Sequence, residues 1–205
     1  MSFGKDGFWE ARYAEEGYIF GTDPAAFLAR EAHWIEPGQS ALLLADGEGR
    51  NSVYLAEHGV KVTAMDYVAR AIEKARALAA EREVEVEFHE ADLLEWDWDA
   101  QGFDAVVGIF FQFLSPDDRA EVFRGIARAI RPGGVVMLHG YGPKQIEFGT
   151  GGPGKLENLY TLDLMREAFP GWEVLVAQDY EADLSEGTRH VGRSALIDFV
   201  ARKPA

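Results

Sequence analysis

Ala41-Leu-Leu-Leu-Ala-Asp-Gly-Glu-Gly-Arg-Asn-Ser52 and the following Val60-Lys-Val-Thr-Ala-Met-Asp66 decide the fold. An apolar run stops at a glycine-rich turn, the chain re-enters as a helix, and a second strand ends on an acid. That is a βαβ unit of the kind that holds a nucleoside. Asp66 lies 17 positions beyond Gly49, close to the spacing at which a carboxylate at the tip of the second strand meets both hydroxyls of a ribose. A solvated loop aspartate is the competing reading. Gly47 and Gly49 let backbone approach a ligand, and the helix behind them offers amide hydrogens and a positive dipole end. A mere tight turn would carry the same pair, and the segment lacks the full G-x-G-x-x-G spacing, which disfavours a pyrophosphate.

Outward from this unit, strand and helix alternate. Strands are predicted at 41–45, 61–65, 84–89, 104–109 and 135–139, with helices at 51–57, 68–82 and 116–130, so the fold class is α/β, a Rossmann-like doubly wound sheet. Ser115 before Pro116 caps the last of these helices, and Arg131-Pro-Gly-Gly134 stops it. Residues 140–154 hold too many glycines and prolines for a regular element. A helix over 161–169, capped by Thr161, precedes two strands at 172–180 and 194–202, joined by a polar connection and paired antiparallel. The first forty residues are dense in aromatics (Phe8, Trp9, Tyr13, Tyr18, Phe20, Phe27), with a helix over 24–35 after a Thr22 or Asp23 cap. They either cover a sheet edge, or cover a ligand, or both.

Composition narrows the function. With 20 basic and 35 acidic residues among 205, the net charge is −15, which repels phosphate backbones and anionic lipid; neither nucleic acid nor membrane is expected as a partner. Cysteine is absent, which excludes disulfides and thiolate metal sites, and no metal is expected. The first nine residues lack the apolar core of a signal peptide, and the greasiest stretch, 103–114, is too short to span a bilayer. A cytoplasmic protein is the expectation.

At the end of the third strand, Glu90-Ala-Asp-Leu93 places Asp92 to accept from an exocyclic amine of adenine, with Ala91 and Leu93 on the ring, or equally to cap a turn. Together these segments carry a family likeness. With Phe8-Trp9-Glu-Ala-Arg12-Tyr13, Gly21-Thr-Asp-Pro24, Phe103-Asp-Ala-Val-Val107, Arg131-Pro-Gly-Gly134 and Gly149-Thr-Gly-Gly-Pro153 in this order, the chain resembles the class I S-adenosylmethionine-dependent methyltransferases, and among them the small tellurite-resistance-type branch. The resemblance implies a seven-stranded sheet whose last strand is antiparallel, and a single domain over 1–205: a helical cover (1–40), a cofactor-binding core (41–139) and an acceptor-side loop, helix and hairpin (140–205). It implies S-adenosyl-L-methionine as cofactor, its methionine over Ala45, Asp46, Gly47, Gly49 and Asn51, its ribose on Asp66 beside Tyr67, its adenine against Ala91, Asp92 and Leu93, and its sulfonium facing the turn from Gly108 to Gln112, Gly108 and Phe110 among its contacts.

Two positions depart from the family pattern. Leu43 stands where an acid is usual and Ala45 where a glycine is usual, so a second charge near the loop is lost and a methyl narrows the approach of the backbone. Methyl transfer to a small molecule needs in-line positioning rather than an obligatory base, so no catalytic residue is fixed. The polar candidates for the acceptor pocket are Arg12, Tyr13, Tyr141 and His190. Arg12 on a helix face has Glu15 or Glu16 as alternative partners, and His190 reads also as a solvated loop residue. A protein of this fold that binds the cofactor without turnover, and a nicotinamide-dependent oxidoreductase, are the alternative functions. The oligomeric state is not legible.

Overall fold

A computed structural model describes residues 7–205. Seven strands form one sheet, β1 (Ser40–Leu44), β2 (Lys61–Asp66), β3 (Val86–Glu90), β4 (Phe103–Ile109), β5 (Ile130–Tyr141), β6 (Glu173–Glu186) and β7 (His190–Arg202), in the order β3-β2-β1-β4-β5-β7-β6. Strands β1 to β5 pair in parallel, and β7 runs antiparallel to both β5 and β6. The expected doubly wound architecture with an antiparallel last strand is therefore present.

Leu42, Leu43 and Leu44 show why β1 is central. Alternate side chains enter the two apolar layers, Leu42 and Leu44 on one face, Ala41 and Leu43 on the other, and burying each leucine contributes roughly 2 kcal/mol. One layer is closed by α5 (Pro116–Ala129) and α7 (Leu162–Ala168), the other by α2 (Ala26–Glu31), α3 (Arg50–Glu57) and α4 (Ala69–Glu81). Helix α4 faces the sheet with Ala71, Ile72, Ala75, Leu78 and Ala79, the 3.6-residue stripe of an amphipathic helix. The sheet reverses its strand order between β1 and β4, and a crevice opens there at the carboxyl ends of the strands.

The predicted caps hold at α5, where Ser115 accepts from the Asp118 amide, and at α7, where Thr161 accepts from that of Leu164. Elsewhere the structure corrects the reading. Helix 24–35 shortens to α2 with a 3₁₀ turn at Ala32–Trp34, and neither Thr22 nor Asp23 caps it. Its first amides are met from a distance: Ala25 N–H donates to Asn51 Oδ1 (2.9 Å) and Ala26 N–H to Glu186 Oε1 (3.0 Å). Helix α5 ends at Ala129, and the Arg131-Pro-Gly-Gly134 segment belongs to β5, where a register shift opposite Phe103 absorbs it. The loop expected at 140–154 begins two residues later, after Tyr141, and contains the short α6 (Gln145–Phe148).

The largest correction is the hairpin. Most of the polar stretch 181–193 is strand, because β6 and β7 continue as a ribbon beyond the sheet with pairing from Glu186 against His190 onward. Its inward face, Tyr180, Ala182 and Leu184, packs with Tyr141 and Leu159, but beyond Leu184 that face continues through Glu186 and His190, so the apolar alternation that marks a strand stops short of the tip. The amino-terminal cover comprises α1 (Phe8–Tyr13), α2 and the segment between them.

Candidate functional site

The glycine turn after β1 is shaped by left-handed residues: Ala45 (φ 46), Gly47 (φ 63) and Gly49 (φ 92). Ala45 thus adopts the conformation of the glycine it replaces, at a cost of about 1 kcal/mol, and it still lines the crevice. Gly47 is required twice over, since a Cβ there would meet the Tyr13 hydroxyl at 2.8 Å. Gly49 serves packing instead: a Cβ would press on the Ala75 backbone at 2.8 Å, so the residue brings α3 against α4 and stands behind the crevice wall. Gly108 is likewise a packing glycine, its missing side chain replaced by the Phe111 ring and Leu138. Neither of these two glycines lines the crevice.

Asp66 holds the turn from across the sheet. Its Oδ2 accepts from the Gly47 amide (2.8 Å) and its Oδ1 from that of Val68 (2.9 Å). Asp46, one residue before Gly47, accepts from Ser52 Oγ, which also donates to the Gly49 carbonyl. Burial lifts both carboxyls to about 6 in spite of these donors, and Asp66 adds repulsion to Asp46. Folded pKa values above the unfolded ones mean that the native state holds protons the unfolded chain has released. Stability from these two groups is therefore greatest below pH 4 and is lost as pH rises towards 7, by about 3 kcal/mol per fully buried carboxyl at most. Asp46→Asn keeps an acceptor for Ser52, so its melting temperature, measured from pH 4 to 8, should gain on that of the parent up to about pH 6–7 and hold that gain above it; a constant difference from pH 4 to 7 would refute the assignment.

Around these acids a crevice opens at the carboxyl ends of β1, β2 and β4. Ala45, Asp46, Gly47, Asn51, Asp66, Tyr67, Ala91, Asp92, Leu93 and Phe110 all line it, as the sequence suggested. Asp92 caps its own turn through the Leu94 amide (2.9 Å) while lining the crevice. Of the acceptor-pocket candidates, Tyr13 and His190 line the crevice. Arg12 does not: its guanidinium lies over the Phe8 and Trp9 rings, 4.3 and 5.6 Å from their centroids, while Glu15 pairs with Arg189. Tyr141 is buried under Gly151 and Gly152, behind Phe110 rather than on the wall. His190 is the first residue of β7, not a loop residue, and its ring packs on Phe20 and Phe110 at 4.5 and 4.2 Å.

Sequence reasoning missed the residues that fasten the cover. Glu48 is buried, accepts from the Ile19 amide (2.8 Å) and pairs with Lys74 (2.8 Å), which also donates to the Glu15 and Gly17 carbonyls. Arg50 donates to the Phe20 carbonyl (3.1 Å) and pairs with Glu186 (2.8 Å). Burial alone would raise the Glu186 carboxyl, but His190, Arg50 and the Ala26 amide hold it down at about 2. These links bring Trp9, Tyr13 and Phe20 over the glycine turn as further walls, with Phe113 and Leu114 opposite. No local pattern marks such partners, which lie 26 to 136 residues apart.

Fold and crevice together are those of an α/β protein that takes its ligand at the carboxyl edge of a mostly parallel sheet. Residues 41–134 match the methyltransferase domain family. A 113-residue stretch is 30% identical to the cypemycin N-terminal methyltransferase of a Streptomyces species, covering 54% of this chain and 45% of that protein. The chain thus spans about half the length of the curated relatives it matches. Among solved structures, TehB from Haemophilus influenzae superposes with a TM-score of 0.72 at 18% identity, over 97% of this chain and 67% of that one. The N-methyltransferase NodS from Bradyrhizobium japonicum, in complex with S-adenosyl-L-homocysteine, superposes with a TM-score of 0.71 at 14% identity, over 96% and 97%. Over residues 41–134, which carry the glycine turn and Asp66, the chain is thus similar to a methyltransferase domain. Among the described residues no helix is long and apolar enough to cross a membrane.

Proposed function

We propose that this chain transfers a methyl group from S-adenosylmethionine to a small-molecule acceptor, by in-line displacement in which positioning carries most of the rate. The observation that carries the reading is a crevice holding two buried carboxylates, Asp46 and Asp66, whose nearby guanidinium, Arg50, is already paired with Glu186. A ligand bringing its own positive charge, as a sulfonium and an ammonium do, relieves that imbalance. When bound, the cofactor supplies an activated methyl on a neutral leaving group. Asp66 and Tyr67 would hold the ribose, Ala91, Asp92 and Leu93 the adenine, and Ala45, Asp46, Gly47 and Asn51 the amino-acid end, with Phe110 towards the reacting centre. Gly49 and Gly108 act from behind by permitting close packing.

The net charge of −15 supports an acceptor that is neither nucleic acid nor membrane lipid, and a cytoplasmic setting, in which residues 1–205 work as one methyltransferase domain. Ala45 keeps the turn's left-handed geometry despite its methyl, which removes one ground for a reading without turnover; Leu43, the other ground, is a buried strand residue that supplies no carboxylate. Isothermal titration with S-adenosylmethionine and S-adenosylhomocysteine should give saturable heat and a rise in melting temperature with each; neither signal with either compound would overturn the proposal.

A further inference from the structure

We infer that the acceptor carries an ionisable X–H bond, a hydroxyl or amine on an uncharged apolar body, and that His190 is the base that takes its proton. The inference rests on the methyltransferase reading and adds to it the chemistry of the second substrate.

The end of the crevice beyond the carboxylates is walled by Trp9, Phe20, Phe110 and Phe113. Such walls suit a flat apolar body and offer nothing to an anion. The cations within reach are committed: Arg50 to Glu186 and the Phe20 carbonyl, Lys74 to Glu48, Arg12 to the outer aromatic face. With the cofactor's positive charge set against Asp46 and Asp66, these walls offer an anionic acceptor no protein cation of its own.

His190 is the group in this crevice suited to proton removal. Its Nδ1 is buried and faces the Glu186 carboxylate at 3.8 Å, while the residue itself forms part of the crevice wall. Phe20 and Phe110 fix the ring plane from two sides. The charged and titratable groups that face it are Glu186 from β6, Arg50 from α3, and His139 and Tyr141 from β5. Burial lowers its pKa, Arg50 and His139 add to that, and Glu186 opposes them with a net downward shift, so at neutral pH the imidazole is unprotonated and ready to accept. Glu186 then stabilises the imidazolium that forms, as the third partner of a base generally does. In the step, the lone pair of X forms the X–CH₃ bond as the C–S bond breaks, the C–S electron pair stays on sulfur as a neutral thioether, and the proton of X–H passes to the imidazole.

The test uses the full chain with methyl-labelled S-adenosylmethionine and two sets of probe acceptors: phenols and aromatic amines on one side, sulfide, selenide and thiocyanate on the other. Turnover is expected on the protic set. His190→Gln should lower kcat on it by 10²- to 10⁴-fold, leave S-adenosylhomocysteine affinity within a few fold, and remove the acid limb of the kcat/KM profile, which in the parent should lie below pH 6.5. His190→Asn guards against a folding defect peculiar to one variant. Faster turnover on the anionic set, an unchanged kcat in both variants, or no turnover on any protic probe while S-adenosylhomocysteine still binds, each overturns this inference alone. Loss of cofactor binding by the parent would instead overturn the reading beneath it.

Discussion

Asp66→Ala should weaken S-adenosylmethionine and S-adenosylhomocysteine binding by about 100-fold or more and lower the melting temperature of the free protein as well. Two charge-assisted hydrogen bonds to ribose hydroxyls contribute roughly 1.5–3 kcal/mol each, which is the source of the affinity loss. The stability loss has a separate origin. The carboxylate accepts from the Gly47 and Val68 amides in a buried setting, and each amide left without a partner costs about 1–3 kcal/mol, offset in part by relief from burying the charge. Titration calorimetry and thermal melts read the two losses independently. A lowered melting temperature with undiminished affinity would show that Asp66 is only the latch of the glycine turn and that the ribose lies elsewhere.

Gly187→Ala is the second large effect, and it acts where the hairpin tip meets the amino-terminal cover. Gly187 has φ 61, a conformation that costs alanine about 1–2 kcal/mol. Its missing Cβ is replaced by backbone: the Ile19 carbonyl oxygen, the Phe20 carbonyl carbon and the Gly21 nitrogen, none of which can swing aside. The added methyl must push the tip away from residues 19–21, breaking the Thr188 N–H to Ile19 C=O bond (2.9 Å) and pulling Glu186 from Arg50. A loss of about 3 kcal/mol or more follows from strain and overpacking together, which for a chain of this size lowers the melting temperature by on the order of 10 °C. Limited proteolysis should find new cleavage between residues 14 and 25. A variant that melts with the parent and resists protease would show that the tip is not pinned to the cover.

The contrast between Asp66 and Glu186 explains how far the sequence could be read. Asp66 ends an alternating strand at a fixed distance from a glycine pair, so its place at the sheet edge follows from local geometry alone. Glu186, Glu48 and Arg50 owe their roles to partners brought near by the whole topology, and no periodicity encodes a bond between residues 50 and 186. Glycines divide in the same way. Gly47 was legible as a ligand-side residue because a turn follows a strand, whereas Gly49 and Gly108 looked alike in sequence and proved to accommodate Ala75 and Phe111. His190 reads as a loop residue because the apolar face of the ribbon, Tyr180, Ala182 and Leu184, gives way to polar residues before the chain turns back. The sheet itself, resting on apolar runs bounded by glycine and proline, was legible nearly throughout.

Glu48 sits between the two glycines of the turn, and its carboxylate grips Ile19 and Lys74. Floor and roof of the crevice are consequently riveted at one point, and any flexing of the turn is transmitted to the aromatic rings above it. A molecule lodged beneath that roof is therefore enclosed by rings whose placement is set from behind the wall, by a residue that never faces it.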